Sequence, residues 1–240
     1  MANIFQNTAA AAKSVTEETT GGSNFAIPTS GAYEATLQLC YMRQNANKPS
    51  NTDLYFIFKL SNGFTWNYPV YSVLVNGSPT SPDKDGKIKT NYGFQTATRL
   101  MTTFTGKSLE EAGANVVSKI IEVYNFDMNK NVPTTVDVFG DTIAAKGIVG
   151  LTRKIENKKA SVDGTWVNLP ERKEVAVLST SANLKGQTYT EILENAEPVK
   201  LKEWIAANTG KDWNAYQAVA GASNAPSQPK PTGSSVINLG

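Results

Sequence analysis

Basic side chains are concentrated in one segment of this sequence, residues 142–173. The segment holds seven lysines and arginines against three acids, whereas the whole 240-residue chain has a net charge of only +2. The seven cations are Lys146, Arg153, Lys154, Lys158, Lys159, Arg172 and Lys173. Cations clustered in this way can neutralise the phosphates of a nucleic-acid backbone. We expect the segment to form one β-hairpin, and the alternative interpretation is that its charges are solvated and only confer solubility.

Aromatic residues are interleaved with basic residues along the chain. Trp166 follows an Asp-Gly pair inside the basic segment, Trp66 and Tyr68 follow an Asn-Gly pair, and Tyr92 follows a lysine-rich loop. Proteins that bind single-stranded nucleic acid stack bases on such rings, which contributes about 1–3 kcal/mol per base with little regard to sequence. The competing interpretation is that these rings belong to the hydrophobic core.

The lysine-rich loop, residues 81–91, is a second candidate site. It contains Lys84, Lys87 and Lys89 beside two aspartates. Its Asp-x-Asp-Gly fragment is similar to the start of a calcium loop, but the later ligands and the closing glutamate are missing. The pattern therefore favours a basic loop or a plain surface turn.

The residue types that most often perform catalysis are scarce. The chain has no histidine and one cysteine, which removes the commonest general base and the cysteine-rich zinc motifs. Cys40 lies in an alternating apolar run, so we interpret it as a buried core residue. Neither a phosphate-binding glycine loop nor a Gly-x-Ser-x-Gly elbow is present. We expect a protein that is not an enzyme and has no catalytic residues, metal or cofactor.

Strand patterns dominate the segments that must position these residues. Apolar residues alternate with polar ones over 33–42, the period of a half-buried strand. An Asn-Gly pair at 62–63 and an Asp-Gly pair at 163–164 have the residues that tight hairpin turns require. The strands expected are 33–42, 54–60, 64–68, 115–126, 142–157 and 165–178.

Helical patterns are fewer. Apolar residues at helical spacing predict a helix over 92–105 that ends before Gly106. Ser108 and Glu111 have the spacing of a capping box, which predicts a further turn. The segment 191–208 is amphipathic, although Pro198 should break or kink it near residue 197.

These elements predict an α+β fold. We expect a predominantly antiparallel sheet or a small OB-like barrel with a mid-chain helix, a long basic β-hairpin and a C-terminal helix, and a sheet other than an OB fold stays open. The expected organisation is a flexible N-terminal arm over 1–30, a single domain over 31–212 and a disordered tail over 213–240. No signal peptide or membrane span is visible, so we expect a cytoplasmic protein that does not associate with membranes.

Two stretches, residues 123–133 and 147–158, are similar to those of a known family. Together with the glycine-rich arm at 21–25, the Lys-Asp-Gly-Lys loop at 84–87 and the Thr-Gly-Lys-x-Leu segment at 105–109, they resemble single-stranded-DNA-binding proteins of tailed bacteriophages. The resemblance covers roughly residues 20 to 178. Some podovirus-type relatives serve the phage RNA polymerase as cofactors that hold melted promoter DNA.

The resemblance implies a viral protein that binds single-stranded DNA with little sequence preference, in phage DNA replication or in the regulation of early or middle transcription. Its partners would be single-stranded DNA and phage RNA polymerase or replication proteins, in the infected host cell, with homo-oligomers or cooperative assembly on DNA as a further option. Many single-strand binders that act in replication end in an acidic tail that recruits partners, whereas residues 217–240 contain no Asp or Glu. The apolar peptide 236–239 could replace such a tail. The alternative is a phage structural or assembly protein that does not bind nucleic acid.

Overall fold

The alternating segment near the N-terminus forms the long central strand β1 (Gly31–Gln44). The computed structural model describes residues 26–45, 47–125 and 128–219. Tyr33 and Leu37 point into the main core, but an irregularity between Leu37 and Leu39 shifts the phase, so that Cys40 faces this core and Tyr41 faces a smaller cluster. The predicted burial of Cys40 is confirmed, and burial raises the pKa of its thiol.

Strand β1 has a single partner on one edge and two partners on the other. Along one edge it pairs with β2 (Asn51–Leu60), which pairs in turn with β3 (Thr65–Val75) across the Asn62-Gly63 turn. On the opposite edge, the first half of β1 pairs with β8 (Ala145–Val162), and residues 41–42 pair with β7 (Lys130–Phe139). The sheet therefore branches at β1.

The two branches are both hairpins. Strand β7 pairs with β6 (Val116–Asn125), and β8 pairs with β9 (Thr165–Ala182). Strand β7 was not predicted, because Pro133 interrupts an otherwise alternating valine pattern and proline argues against a central strand. Three further strands are short: β4 (Thr80–Pro82), β5 (Ile88–Thr90) and β10 (Trp213–Asn214).

The helices begin and end where local signals place them. Helix α1 (Tyr92–Thr105) ends at Gly106, which has a φ of 73°, and its Leu100 and Met101 are buried against the sheet. The capping box at Ser108 is confirmed and opens α2 (Leu109–Gly113). The predicted break in the last helix is also confirmed.

That break separates α3 (Tyr189–Glu194) from α4 (Lys200–Asn208), and Pro198 lies between them. Helix α3 starts two residues earlier than expected because Thr188 and Glu191 form a second capping box.

The observed fold confirms the α+β class. Strands account for 53% and helices for 19% of the structure, and the sheet is mainly antiparallel. An OB-like barrel is not shown, because the sheet branches at β1 and does not close. None of the described helices combines the length and the apolar character needed to cross a membrane.

Both expected domain boundaries need correction. Ser30, assigned to the arm, is buried, and its hydroxyl donates to Asp212 and accepts from the Arg153 amide. Beyond residue 212, β10 pairs in parallel with β8, so the first residues of the expected tail belong to the domain. The rest of the arm, up to residue 25, and of the tail, from residue 220, lies outside the described residues, as does the 236–239 peptide.

Candidate nucleic-acid interface

The basic segment forms one long hairpin, β8–β9, as predicted. Two strands of 18 residues each meet at Asp163 and Gly164, whose φ angles of 50° and 77° suit a two-residue hairpin turn. Near its base, β8 also pairs with β1 up to Leu151 and with β10 at residues 154–155. From residue 158 to 168 the two hairpin strands pair only with each other in the described chain, so this outer half projects beyond the sheet.

Arg153, in the inner half, is buried rather than exposed. Arg153 is only 6% exposed. Its Nε donates to the Asp212 carboxylate at 2.9 Å, and a second guanidinium nitrogen forms an ion pair with the same carboxylate. Glu174 lies 3.8 Å away. The hydrogen bond to Asp212 raises the pKa of Arg153. The expectation that Arg153 is a surface cation is wrong, because its charge fixes the C-terminal segment to β8.

Two other inner cations, Lys154 and Lys173, also have partners. Lys154 and Lys173 bind the carboxylate of Glu156 at 2.6 and 3.1 Å. The hydrogen bond from Lys154 is the main cause of the lowered pKa of Glu156. Lys154 also lies 4.5 Å from the centre of the Trp213 ring. These two lysines therefore contribute less positive potential than their number suggests.

Arg172 is similarly engaged with the C-terminal segment. Its guanidinium lies 4.4 Å from the centre of the Tyr216 ring, and the Tyr216 hydroxyl donates to the Pro170 carbonyl at 2.9 Å. Asn157 donates to the Gln217 carbonyl at 2.9 Å. The C-terminal segment thus covers the inner half of the hairpin.

The outer half presents exposed cations and an exposed indole. Lys158 and Lys159 are exposed and make no ion pair in the part of the chain that the structure describes. Trp166 is 71% exposed and pairs with Ser161, while Lys159 pairs with Asn168. Because side chains alternate along a strand, Lys159 and Trp166 share one face of the ribbon as diagonal neighbours. Lys158 lies at an irregularity in the pairing.

The lysine-rich loop is a β4–β5 hairpin. Asp83 accepts hydrogen bonds from the amides of Asp85 and Lys87 and forms an ion pair with Lys89 at 2.6 Å. These contacts lower the pKa of Asp83, and the bond from Lys89 is the largest cause. Asp83 is thus occupied as a turn-capping residue. Lys84 and Lys87 are exposed and form no ion pair with another described residue. The loop therefore offers two unneutralised lysines.

The predicted aromatic residues divide between core and surface. Trp66 is 7% exposed and packs against Phe58 with a centroid separation of 6.0 Å, so the structure corrects its assignment as a stacking residue. Tyr68 is half-buried, which raises the pKa of its hydroxyl, and Tyr92 is 78% exposed at the start of α1. Tyr68 and Tyr92 line the same cleft, which lies away from the hairpin tip.

Lys146 does not join the outer hairpin. It is exposed at the base of β8, opposite Thr36 of β1, and lines a shallow pocket of about 270 Å³ with Lys185. Lys158 is twelve positions further along β8, which is a distance of about 40 Å. The structure thus gathers Lys158, Lys159 and Trp166 but places the remaining predicted residues elsewhere.

Sequence reasoning missed the partners that neutralise the inner hairpin. Asp212, Trp213 and Tyr216 were assigned to the end of the domain and the tail, although an acid and two aromatic residues are atypical of a disordered segment. No cluster of three or more potential metal ligands occurs among the described residues.

No family model matches the chain, and neither the curated proteins nor the solved structures include a match. The resemblance to phage single-stranded-DNA-binding proteins therefore stays a prediction from sequence.

Proposed function

We propose that this protein binds single-stranded DNA, without catalysing a reaction, through the outer half of the β8–β9 hairpin. The observation that carries the proposal is the position of Trp166, which is 71% exposed and shares a ribbon face with Lys159. A ring this exposed adds little to a core but can stack on an unpaired base. Lysines without ion pairs are available to a phosphate backbone.

The exposed ring favours single over double strands. In a duplex the bases are already stacked on one another, and Trp166 could reach only their edges in a groove. In a single strand each base has an accessible π face, and the contact depends little on base identity. The proposed binding is therefore sequence-tolerant.

Lys84 and Lys87 extend the proposal to a second contact region for the same strand. They lie on a different hairpin from Trp166, and both regions are positively charged and exposed. The sequence resemblance supports a setting in the infected host cell, in phage replication or early or middle transcription, with phage RNA polymerase or replication proteins as partners.

Fluorescence anisotropy of labelled oligo-dT tests the proposal, with a hairpin duplex as competitor. We expect the wild type to prefer oligo-dT, and Trp166→Ala to weaken binding by about 1–3 kcal/mol without lowering the melting temperature. Trp213→Ala is the matched control, because Trp213 is also exposed but belongs to β10, where it contacts Lys154 of the inner half. Failure of the wild type to bind oligo-dT would favour the alternative of a phage assembly protein.

A further inference from the structure

A second aromatic and basic site lies away from the hairpin tip. A cleft of about 450 Å³ is bounded by β3, α1, β9 and the α3–α4 region. Its volume is within the range of about 300–1,000 Å³ that is typical of small-molecule sites.

Four of the lining side chains are aromatic: Tyr68, Tyr92, Tyr189 and Trp204. Trp204 lies across β8 at Gly150, where an added Cβ would be 3.0 Å from the indole ring. Tyr92 reaches the cleft because α1 approaches β3 closely at Gly93, where a Cβ would be 2.1 Å from a β3 carbonyl oxygen. The fold thus brings aromatic rings from four separate elements, β3, α1, α3 and α4, to one cleft.

The charged residues of the cleft are both cations. Arg99 and Lys200 line it and are exposed, and no aspartate or glutamate is among the lining residues that the structure describes. Lys200 donates to the Thr190 hydroxyl at 2.6 Å. The cleft therefore combines aromatic surfaces with an uncompensated charge of two.

Glu191 directly follows the lining residue Thr190 in the sequence, and its charge is engaged in hydrogen bonds with the backbone and with Thr188. Its carboxylate accepts from the amides of Val199 and Lys200 at 2.8 Å and from the amide and hydroxyl of Thr188. These bonds join α3 to the start of α4 and hold Lys200 at the cleft. The carboxylate is buried and is not among the lining residues.

We propose that this cleft binds one nucleotide unit, with the base against the aromatic rings and the phosphate at Arg99 and Lys200. Aromatic rings and cations that line the same cleft match the two chemical halves of a nucleotide, the base and the phosphate. The unit has two potential sources, a free nucleotide or a residue of the strand held by the hairpin. The proposal goes beyond the function proposed above, because it requires no contact with Lys158, Lys159 or Trp166.

Calorimetric titration of the full chain with thymidine monophosphate, and separately with oligo-dT, tests this assignment. We expect Arg99→Ala combined with Lys200→Ala to reduce the affinity of at least one of these ligands about tenfold or more, since hydrogen bonds to charged groups are the strong ones. Lys202→Ala is the matched control, because Lys202 is exposed on the same helix but does not line the cleft. Both cleft cations are exposed, so the melting temperature should stay unchanged.

Removal of an aromatic surface gives a second test. We expect Tyr92→Ala to weaken the binding of the same ligand, whereas Tyr71→Ala, which alters an exposed tyrosine outside the cleft, should not. Reduced binding of the monophosphate alone identifies a free nucleotide as the ligand, and reduced binding of oligo-dT alone identifies a unit of the strand.

Two results would overturn the proposal: wild-type protein that binds neither probe, or cleft variants that bind both probes as the wild type does. The hairpin proposal fails separately, if Trp166→Ala and the Lys158→Ala, Lys159→Ala double variant bind oligo-dT normally. Loss of oligo-dT binding in the cleft variants alone would move the DNA site from the hairpin to the cleft.

Discussion

The inner and outer halves of the β8–β9 hairpin both contain cations, but these cations differ in their surroundings. In the inner half, Arg153 is buried against Asp212, and Lys154 lies against Trp213. In the outer half, Lys159 and Trp166 share an exposed face with no such partners among the described residues. Within the described chain, which ends at residue 219, the hydrogen bonds between the C-terminal segment and the hairpin extend as far as Asn157 and Asn168. Arg153 in the inner half therefore stabilises the fold, whereas Lys158 and Lys159 in the outer half are exposed and available for the proposed contact with DNA.

The comparison is tested most strongly by two tryptophans. We expect Trp66→Ala to lower the free energy of unfolding by about 3–5 kcal/mol, because it removes a buried ring from the core. Trp166→Ala should change the same quantity by less than about 0.5 kcal/mol, because its ring is exposed. Urea denaturation measures both. A large loss of stability in Trp166→Ala would mean that the outer half is also structural.

Asp212→Ala tests the role of the inner half. The substitution leaves Arg153 buried with only Glu174 nearby and also removes the partner of Ser30. Breaking a buried ion pair is strongly destabilising, so we expect a loss of about 3 kcal/mol in urea denaturation. Asp85→Ala, in the exposed loop, is the control and should have no effect. An Asp212→Ala protein of normal stability would contradict a structural role for Arg153.

Glu191 tests how much a hydrogen-bonded carboxylate contributes to the free energy of unfolding, because that contribution depends on pH. Burial raises the pKa of Glu191, but hydrogen bonds from Lys200, Thr188 and Val199 outweigh this effect and lower it to about 2. A carboxyl group with a lowered pKa in the folded state stabilises the fold above its ordinary pKa, and this contribution is lost as the pH falls. We expect Glu191→Gln to cost about 2 kcal/mol at neutral pH.

The difference in stability between wild type and Glu191→Gln should stay constant above about pH 5 and shrink as the pH falls towards 2. Urea denaturation at a series of pH values measures it. A difference that is independent of pH would mean that the ionised carboxylate is not the stabilising form.

The smallest expected effect concerns the outer lysines. If Lys158 and Lys159 each neutralise one phosphate, the double alanine variant should reduce the slope of log K against log salt by about 1.4, or about 0.7 for each phosphate. Anisotropy titrations of oligo-dT at several salt concentrations measure this slope. The Lys154→Ala, Lys173→Ala variant is the control, because both lysines bind Glu156. An equal change in the control would remove the distinction between the two halves.

Much of the fold could be predicted from sequence because its signals are local. The Asp163-Gly164 turn, the end of α1 at Gly106 and the capping box at Ser108 each depend on residues a few positions apart. The irregularity between Leu37 and Leu39 could not be predicted in this way, because the alternation continues through it in the sequence. Branching of the sheet at β1 depends on which distant strands share an edge.

The candidate site was predicted only in part, for the same reason. Sequence placed Lys158, Lys159 and Trp166 near one hairpin turn, and the structure keeps them together. It placed Arg153 in the same group, since nothing within a few residues of Arg153 indicates that Asp212 will reach it. The cleft was missed because Arg99 and Lys200 are far apart in the chain and line one cleft only after α1 and α4 pack on the sheet.

Patterns along the chain are sufficient to predict the α+β class, the long basic hairpin, its turn and the shortage of catalytic residue types. Packing in three dimensions controls which cations are neutralised, which tryptophans are buried and which distant aromatic residues share a cleft. This division exists because turn and helix signals act through backbone conformation over a few residues. Burial and charge pairing depend instead on contacts such as that between Arg153 and Asp212, which are 59 positions apart in the chain.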